Sequence, residues 1–355
     1  MKSNILDKTV PERVIQYEKR SWAMKVYAAF RWGKDLPCSL RFVVIPYLGC
    51  HYKCKYCYAW FKHGQPTPKT KFRESLIHDI KRAKEFGLNH LVVMVSSSTD
   101  CLQPIENEQK DTLFALNELV KNGFTILIMT RNPKKLLEDE YFQIIKSPKV
   151  NIDVTIASLH ENDPRSIFYG QVPPFSETIA AIKELSARGK SVRIKVEPIV
   201  PSVNGVQGQT REELDEMVRI FKDAGVKMII SKSMRLNEDV PPLVHSKFID
   251  YYKENGSEQG ITLTLSKEIR RDILTPLMEI CKKYDMPIST CVETDVFSSH
   301  ETSKCALSRD EIESKEWKNN SDTEELSKHV TGALSAKELE SVDNLKSNIP
   351  TQEQK

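Results

Sequence analysis

From Arg41 onward the chain alternates short runs of apolar, β-branched residues with longer stretches of helical spacing. The runs are FVVIP (42–46), LVVMV (91–95), TILIM (125–129), IDVTI (152–156), VRIKV (192–196) and MIIS (228–231). Their apolar character is continuous rather than alternating, which suits parallel strands covered on both faces. The stretches between them read as amphipathic helices. One sets Leu76, Ile77, Ile80 and Ala83 on one face and stops at Gly87, and the next uses Leu113, Leu116 and Val120 before Gly123. A third carries Ile179, Ile182 and Leu185 before Gly189. A fourth opens on Thr210 and Glu213 in capping-box spacing, buries Leu214, Met217, Val218 and Phe221, and ends at Gly225. Six such alternations predict right-handed crossovers and a parallel α/β sheet. With no G-x-G-x-x-G turn among them, a barrel is favoured over an open dinucleotide-binding sheet.

The rhythm loosens past Ser231. Residues 232–260 are mixed, with Pro241 and Pro242 in a loop, and ITLTL (261–265) reads as a short strand. Residues 268–284 form an amphipathic helix on Ile269, Ile273, Leu277 and Ile280, and MPISTCVE (286–293) reads as a further strand. Residues 318–355 lack aromatic residues and predict a polar tail, mobile or weakly helical. At the other end, Tyr17, Trp22, Tyr27, Phe30 and Trp32 are interleaved with Arg13, Lys19, Arg20, Lys25 and Arg31. Rings packed on a core with their charges in water are favoured there over base stacking. The expected division is an N-terminal extension (1–40), a core barrel (41–235), a C-terminal extension capping the barrel (236–310) and the tail (311–355).

Composition narrows the class. Apolar residues at 39% and charged residues at 28% of 355 describe a soluble globular chain. No apolar run approaches a membrane span, and the N-terminal MKSNILDKTVPERV lacks a signal-peptide core, so a cytoplasmic protein is expected. A net charge of +3 is too small to argue for nucleic acid. Lys53, Lys55, Lys62, Lys69 and Lys71 are locally dense; a solvated loop is favoured over a surface for an anionic substrate. Eight cysteines in a cytosolic chain point to metal or redox chemistry rather than disulfides.

Three of them gather in YLGCHYKCKYCYAW (47–60), where Cys50, Cys54 and Cys57 have the spacing C-x3-C-x2-C. Soft thiolates suit zinc or an iron–sulfur cluster. A zinc site needs a fourth ligand, for which His51 or His63 is near, whereas a three-cysteine cluster leaves one iron open to a small molecule. Zinc, cluster and free thiols all remain open from spacing, with the cluster favoured. Cys38, Cys281, Cys291 and Cys305, with Glu293 and His300, are too widely spaced for a compact motif, so buried free thiols are favoured over a second metal site.

The loop directly follows the first strand, and PYLGCHYKCKYCYAW resembles the cysteine motif of the radical S-adenosylmethionine (radical SAM) superfamily. Its Pro-Tyr-x-Gly-Cys lead-in and Tyr-Cys-Tyr-Ala ending are similar to those of the spore photoproduct lyase-like branch. The resemblance extends over residues 40–235 and implies a partial (β/α)6 TIM-like barrel. It also implies a [4Fe–4S] cluster on Cys50, Cys54 and Cys57, with S-adenosylmethionine on the fourth iron. Reductive cleavage would then give a 5′-deoxyadenosyl radical that abstracts a hydrogen atom from a substrate.

The same resemblance nominates contacts at the strand ends. Tyr56 takes the aromatic position beside the cofactor's adenine, and Ser98, Thr99 and Asp100 are placed to receive its ammonium group. Arg131 would face its carboxylate, Ser158 a ribose hydroxyl, and Glu197 the ribose or amino acid portion. Alternative roles are an N-cap cluster for Ser98–Asp100 and a paired barrel carboxylate for Glu197. Genuine spore photoproduct lyases resemble a pattern with a hydrogen-donating cysteine where this chain has Ser97, so lesion repair is disfavoured. Cys101 is the candidate substitute for that cysteine, and Tyr58 matches the second tyrosine flanking the last cluster cysteine. The implied partners are a substrate and a reductant such as a flavodoxin or ferredoxin, with nucleic acid carried only by the lesion-repair alternative and no membrane. Readings from other classes are a non-catalytic zinc-binding module and a nucleic-acid-binding protein.

Overall fold

The computed structural model describes residues 12–27, 40–57, 64–237, 246–259, 262–291, 293, 295–298 and 300–303. Tyr58, His63, Cys38, Cys305 and the expected tail lie outside them.

The chain opens with α1 (Glu12–Glu18) and β1 (Met24–Tyr27), then β2 (Arg41–Val44) and the short pair β3 (Tyr47–Leu48) and β4 (Thr67–Pro68). Next come α2 (Phe72–Glu85), β5 (Val92–Val95), α3 (Glu106–Gln109), α4 (Asp111–Lys121), β6 (Ile126–Thr130), α5 (Asp139–Ile145) and β7 (Val150–Thr155). The core ends with α6 (Phe175–Ala187), β8 (Val192–Ile199), α7 (Arg211–Asp223) and β9 (Met228–Ser233). Beyond it are β10 (Leu236–Asn237), α8 (Ser246–Asn255), β11 (Gly256–Gln259), β12 (Thr262–Leu265), α9 (Lys267–Lys283) and β13 (Ile288–Thr290).

One eight-stranded sheet runs β1-β2-β5-β6-β7-β8-β9-β13. Every neighbour pair from β2 to β13 is parallel, and β1 joins antiparallel at the edge. Hydrogen bonds do not close it, so it is a partial barrel with helices on its outer face. All six expected strands are present. The MPISTCVE run adds a seventh parallel strand, and ITLTL joins β10 and β11 in a separate three-stranded sheet. The N-terminal strand β1 goes beyond the sequence expectation. Within that segment Tyr17 packs its ring 5.0 Å from Phe42, whereas Trp22 is exposed. On α2 the expected face also needs correction, because Ile77 points to water while Leu76, Ile80 and Ala83 are buried.

The two faces of the sheet differ. Phe42, Val44, Val93, Val95, Ile126 and Ile128 pack outward with the helices in the main core. Their neighbours Val43, Ile45, Val92, Met94 and Leu127 form a second cluster lining the lumen with Tyr27 and Met129. Continuing round the arc, the register sets Asp153 beside Met129, Arg193 beside Asp153, and Lys195 beside Thr155. Half of the lumen wall is therefore apolar and half charged. Strand β8 is buried throughout yet carries Arg193, Lys195 and Glu197 inward, so its burial depends on ion pairing. The capping-box expectation at α7 is half met. Thr210 Oγ1 accepts from the Glu213 amide (3.1 Å), but the Glu213 carboxylate accepts from Ser158 and Leu159.

Candidate active site

The nominated residues that the structure describes follow the carboxyl ends of β2, β5, β6 and β7, with Glu197 near that of β8. After β2 the chain makes the β3–β4 ribbon and turns at Gly49, whose φ of +76° is left-handed. A Cβ on Gly49 would meet the Gln65 carbonyl at 2.9 Å, so the turn into Cys50 requires glycine. Gln103, wholly buried, then fixes the loop from the neighbouring strand end. The His51 amide donates to its Oε1 (2.7 Å), and its Nε2 donates to the Gly49 carbonyl (3.1 Å).

A third segment, after β7, holds the loop from the other side. The Lys55 amide donates to the Tyr169 carbonyl (2.9 Å), and the Gln171 amide to the Tyr52 carbonyl (2.6 Å). Between these bonds lies Gly170, where a Cβ would stand 2.8 Å from Cys54 Sγ. The absence of a side chain there leaves the thiol its space.

Cys54 is buried, Cys50 and Cys57 are half-buried, and all three pack with Tyr52, Tyr56 and Val172. Burial pushes the Cys50 and Cys54 thiols up to about 12; Asp100 adds to this at Cys50, while Arg131 works against it at Cys54. Buried thiols of this kind become thiolates when a cationic group takes them as ligands. Among the described residues no three His, Cys, Asp or Glu side chains converge on a single-ion site.

Arg131, one residue past β6, faces the thiols. Its Nη1 donates to Glu161 Oε1 (2.7 Å), its guanidinium lies 5.6 Å from the Tyr56 ring centroid, and its buried Nη2 has no partner. Asp100 is buried and ties two strand ends together. Its carboxylate accepts from the Leu102 amide (2.8 Å), Thr130 Oγ1 (2.8 Å) and the Arg131 amide (2.6 Å). Burial nevertheless raises it to about 6. Thr99 Oγ1 donates to the Tyr47 carbonyl (3.1 Å), and Ser98 is half-buried beside it. The turn starts at Ser96, which holds a left-handed φ of 68°, and buries the Ser97 hydroxyl without a partner.

The other nominees are placed differently. Ser158 is fully buried and donates its hydroxyl to Glu213 (2.5 Å). Glu197 sits between Lys195 Nζ (3.0 Å) and Lys232 Nζ (3.5 Å), the paired carboxylate of its alternative reading. Cys101 is wholly buried in the main core, with its thiol directed to the Met129 carbonyl (3.6 Å). The structure does not bring it to the three thiols. Of the more distant cysteines, Cys281 is buried and Cys291 half-buried.

Sequence reasoning missed Glu161, Gln103 and Gly170, because each acts on a residue about 30 or more positions away. It also missed Glu106, fully buried, which accepts from Tyr47 and from Tyr141 (2.5 Å) as well as the Thr112 and Leu113 amides (2.9 Å each). That carboxylate anchors the β3 end of the cysteine loop to α4.

The family model for the radical SAM superfamily matches residues 44–221, half of the chain. The chain belongs to this superfamily. A relative, an uncharacterized protein of Methanocaldococcus jannaschii, is 28% identical over 183 residues, a match covering 48% of this chain and 66% of the relative. The chain thus spans just under two thirds of that relative's length. Among solved structures, a spore photoproduct lyase variant with bound AdoMet and dinucleoside spore photoproduct superposes at a TM-score of 0.54. It is 12% identical, and the match covers 70% of this chain and 75% of the lyase. A likeness at that identity shows the shared partial-barrel fold. Members of this superfamily are enzymes whose cofactors are a [4Fe–4S] cluster and S-adenosylmethionine, used with a reductant and a substrate. The residues present fit them. Three soft thiols stand together, and the buried, half-satisfied guanidinium suits a carboxylate. No helix among the described residues is long and apolar enough to cross a membrane.

Proposed function

We propose that this chain holds a [4Fe–4S] cluster on Cys50, Cys54 and Cys57 and uses it to start hydrogen-atom abstraction from a substrate in the barrel lumen. When bound, the cofactors supply reductive cleavage of S-adenosylmethionine, whose 5′-deoxyadenosyl fragment takes a hydrogen atom from a substrate C–H bond. The observation that carries the reading is the pairing of the three packed thiols with Arg131, whose Nη2 is buried and unpartnered beside them. Arg131 binds the cofactor's carboxylate through Nη2 while Glu161 fixes the guanidinium through Nη1. Tyr56 stacks on that guanidinium and packs at the thiols, a place suited to the adenine. Ser98 and Thr99 offer oxygens to the ammonium group, with Asp100 shaping the turn beneath them. Ser158 acts at its strand end through Glu213, whereas Glu197, engaged by Lys195 and Lys232, takes the paired-carboxylate role. The apolar wall of Val43, Ile45, Val92, Met94 and Leu127 keeps water from the floor of the lumen.

The reading makes the chain a cytoplasmic enzyme served by a flavodoxin- or ferredoxin-type reductant, with the β10–β12 sheet and α8 covering the barrel that β13 extends. Abstraction from a substrate other than a DNA lesion is favoured because Cys101, the candidate hydrogen donor for lesion repair, lies in the helix-side core. The test is anaerobic reconstitution to about four irons per chain, followed by S-adenosylmethionine and a strong reductant. Formation of 5′-deoxyadenosine, lost together with bound iron in Cys54→Ala, is the expected result; no 5′-deoxyadenosine from a fully loaded protein overturns it.

A further inference from the structure

The lumen wall formed by β7, β8 and β9 carries charge that radical generation does not use. Lower in the barrel, Arg193 and Asp153 form a buried pair at 2.7 Å, leaving no excess between them. At the mouth the balance is different. Glu197 is the acceptor for Lys195 at one oxygen (3.0 Å) and lies near Lys232 at the other (3.5 Å), so two ammonium groups share one carboxylate. Each ammonium has three N–H donors and directs one to Glu197. Burial works against the charge on Lys195, yet Glu197, Cys291 and Asp153 hold its value well above that of an ordinary lysine. Glu197 likewise raises Lys232, with Cys291 assisting and Lys195 and Arg235 opposing. Both lysines therefore stay cationic. The Lys232 side chain is 37% exposed, while the Lys195 side chain is 10% exposed.

We propose that Lys195 and Lys232, spaced by Glu197, form a subsite for an oxyanion of the substrate, a carboxylate or a phosphoryl group. The geometry selects this ligand class for three reasons. Ammonium groups cannot ligate metals, the excess charge is positive, and the site's free donors belong to two side chains that Glu197 holds in place. The cofactor's own carboxylate is served by Arg131 at the β6 end, so the lysine pair on β8 and β9 is left for the second reactant. This assignment rests on the radical reading above, and it makes the charged half of the lumen a specificity element. The apolar half then receives the part of the substrate that carries the C–H bond.

Cys291, within electrostatic reach of both lysines, supplies a reporter. The full-length, cluster-loaded protein is treated anaerobically with iodoacetamide, and carbamidomethylation of Cys291 is timed by peptide mass spectrometry. Inorganic phosphate or acetate is titrated against chloride at constant ionic strength. The expected result is saturable protection, roughly tenfold at ten times the dissociation constant, retained in Lys232→Arg and lost in Lys232→Gln. Protection by phosphate assigns a phosphoryl group, and protection by acetate alone assigns a carboxylate. Absence of saturable protection in the unsubstituted protein, or equal protection in Lys232→Gln, overturns the subsite. The same preparation is assayed for 5′-deoxyadenosine. Product without protection refutes the subsite alone, whereas protection without product refutes the radical reading and leaves an anion site.

Discussion

In the proposed cofactor site, Arg131 shows how one residue joins two segments. Its amide caps Asp100, its Nη1 is neutralised by Glu161, and its Nη2 is the buried donor that remains. Arg131→Lys keeps the charge but loses the fork, so S-adenosylmethionine should bind roughly tenfold to a hundredfold more weakly, the worth of one hydrogen bond to a charged group. Iron content should stay unchanged. Equilibrium binding to the reconstituted variant checks this, and an unaltered dissociation constant would remove Arg131 from the site. Glu18 lies far from the mouth and governs pH response instead. Its carboxylate accepts from the Val26 amide (2.8 Å) and Ser21 Oγ (3.0 Å), with Lys25 3.7 Å away. Burial dominates these contacts and raises it from 4.5 to about 7. A raised carboxyl stabilises the fold fully below its unfolded value and loses that contribution as pH climbs through about 7. The loss is on the order of 2–3 kcal/mol by pH 8. Thermal melts at pH 5 and pH 8 should therefore show Glu18→Gln gaining on the unsubstituted protein as pH rises; parallel pH profiles would contradict the shift.

At the scale of elements, α7 illustrates both what patterning reveals and what it hides. The spacing of Leu214, Met217, Val218 and Phe221 located the buried face, and Thr210 caps the helix as its position implied. The partner of Glu213 was not legible, because it lies 55 residues away in the turn after β7. There the carboxylate holds the Ser158 hydroxyl and the Leu159 amide, shaping the segment that reaches the cysteine loop. Thr210→Ala should cost about 1 kcal/mol in urea unfolding, the usual value of an N-cap. Glu213→Ala should cost more, about 2–4 kcal/mol, since it strands the buried Ser158 hydroxyl and the half-buried Leu159 amide, donors worth about 1–3 kcal/mol each. Equal costs would mean that the turn finds other acceptors. The same limit governed the strands. FVVIP and LVVMV declared themselves by continuous apolar character, and β8 did so only in part because its inward positions are Arg193, Lys195 and Glu197. The short strand β1 left no clear signal, since its pairing with β2 is antiparallel and confined to four residues.

Across the whole molecule, the barrel mouth is held by segments that do not neighbour one another in the sheet. Strands β2 and β7 are separated by β5 and β6, yet the loops after them are joined by the Lys55–Tyr169 and Gln171–Tyr52 backbone bonds. Gly170 between those bonds lies against Cys54, and Glu161 at the start of the segment fixes Arg131. The cysteine spacing was readable in sequence because its three residues are local. This second clamp was not, because it is made of backbone contacts more than 100 positions apart. Its consequence is mechanical coupling of ligand binding to two segments at once. Binding to the three thiols stabilises only the conformation that both segments must share, so its free energy is distributed over them. Removing the cluster by anaerobic chelation should raise amide hydrogen exchange at residues 50–57 and 166–172 together. Strands β5 to β8, fixed by the main core, should keep their protection. Exchange confined to 50–57 would show that the later segment is held by its own packing, and exchange spreading through the sheet would show that the cluster supports the barrel itself.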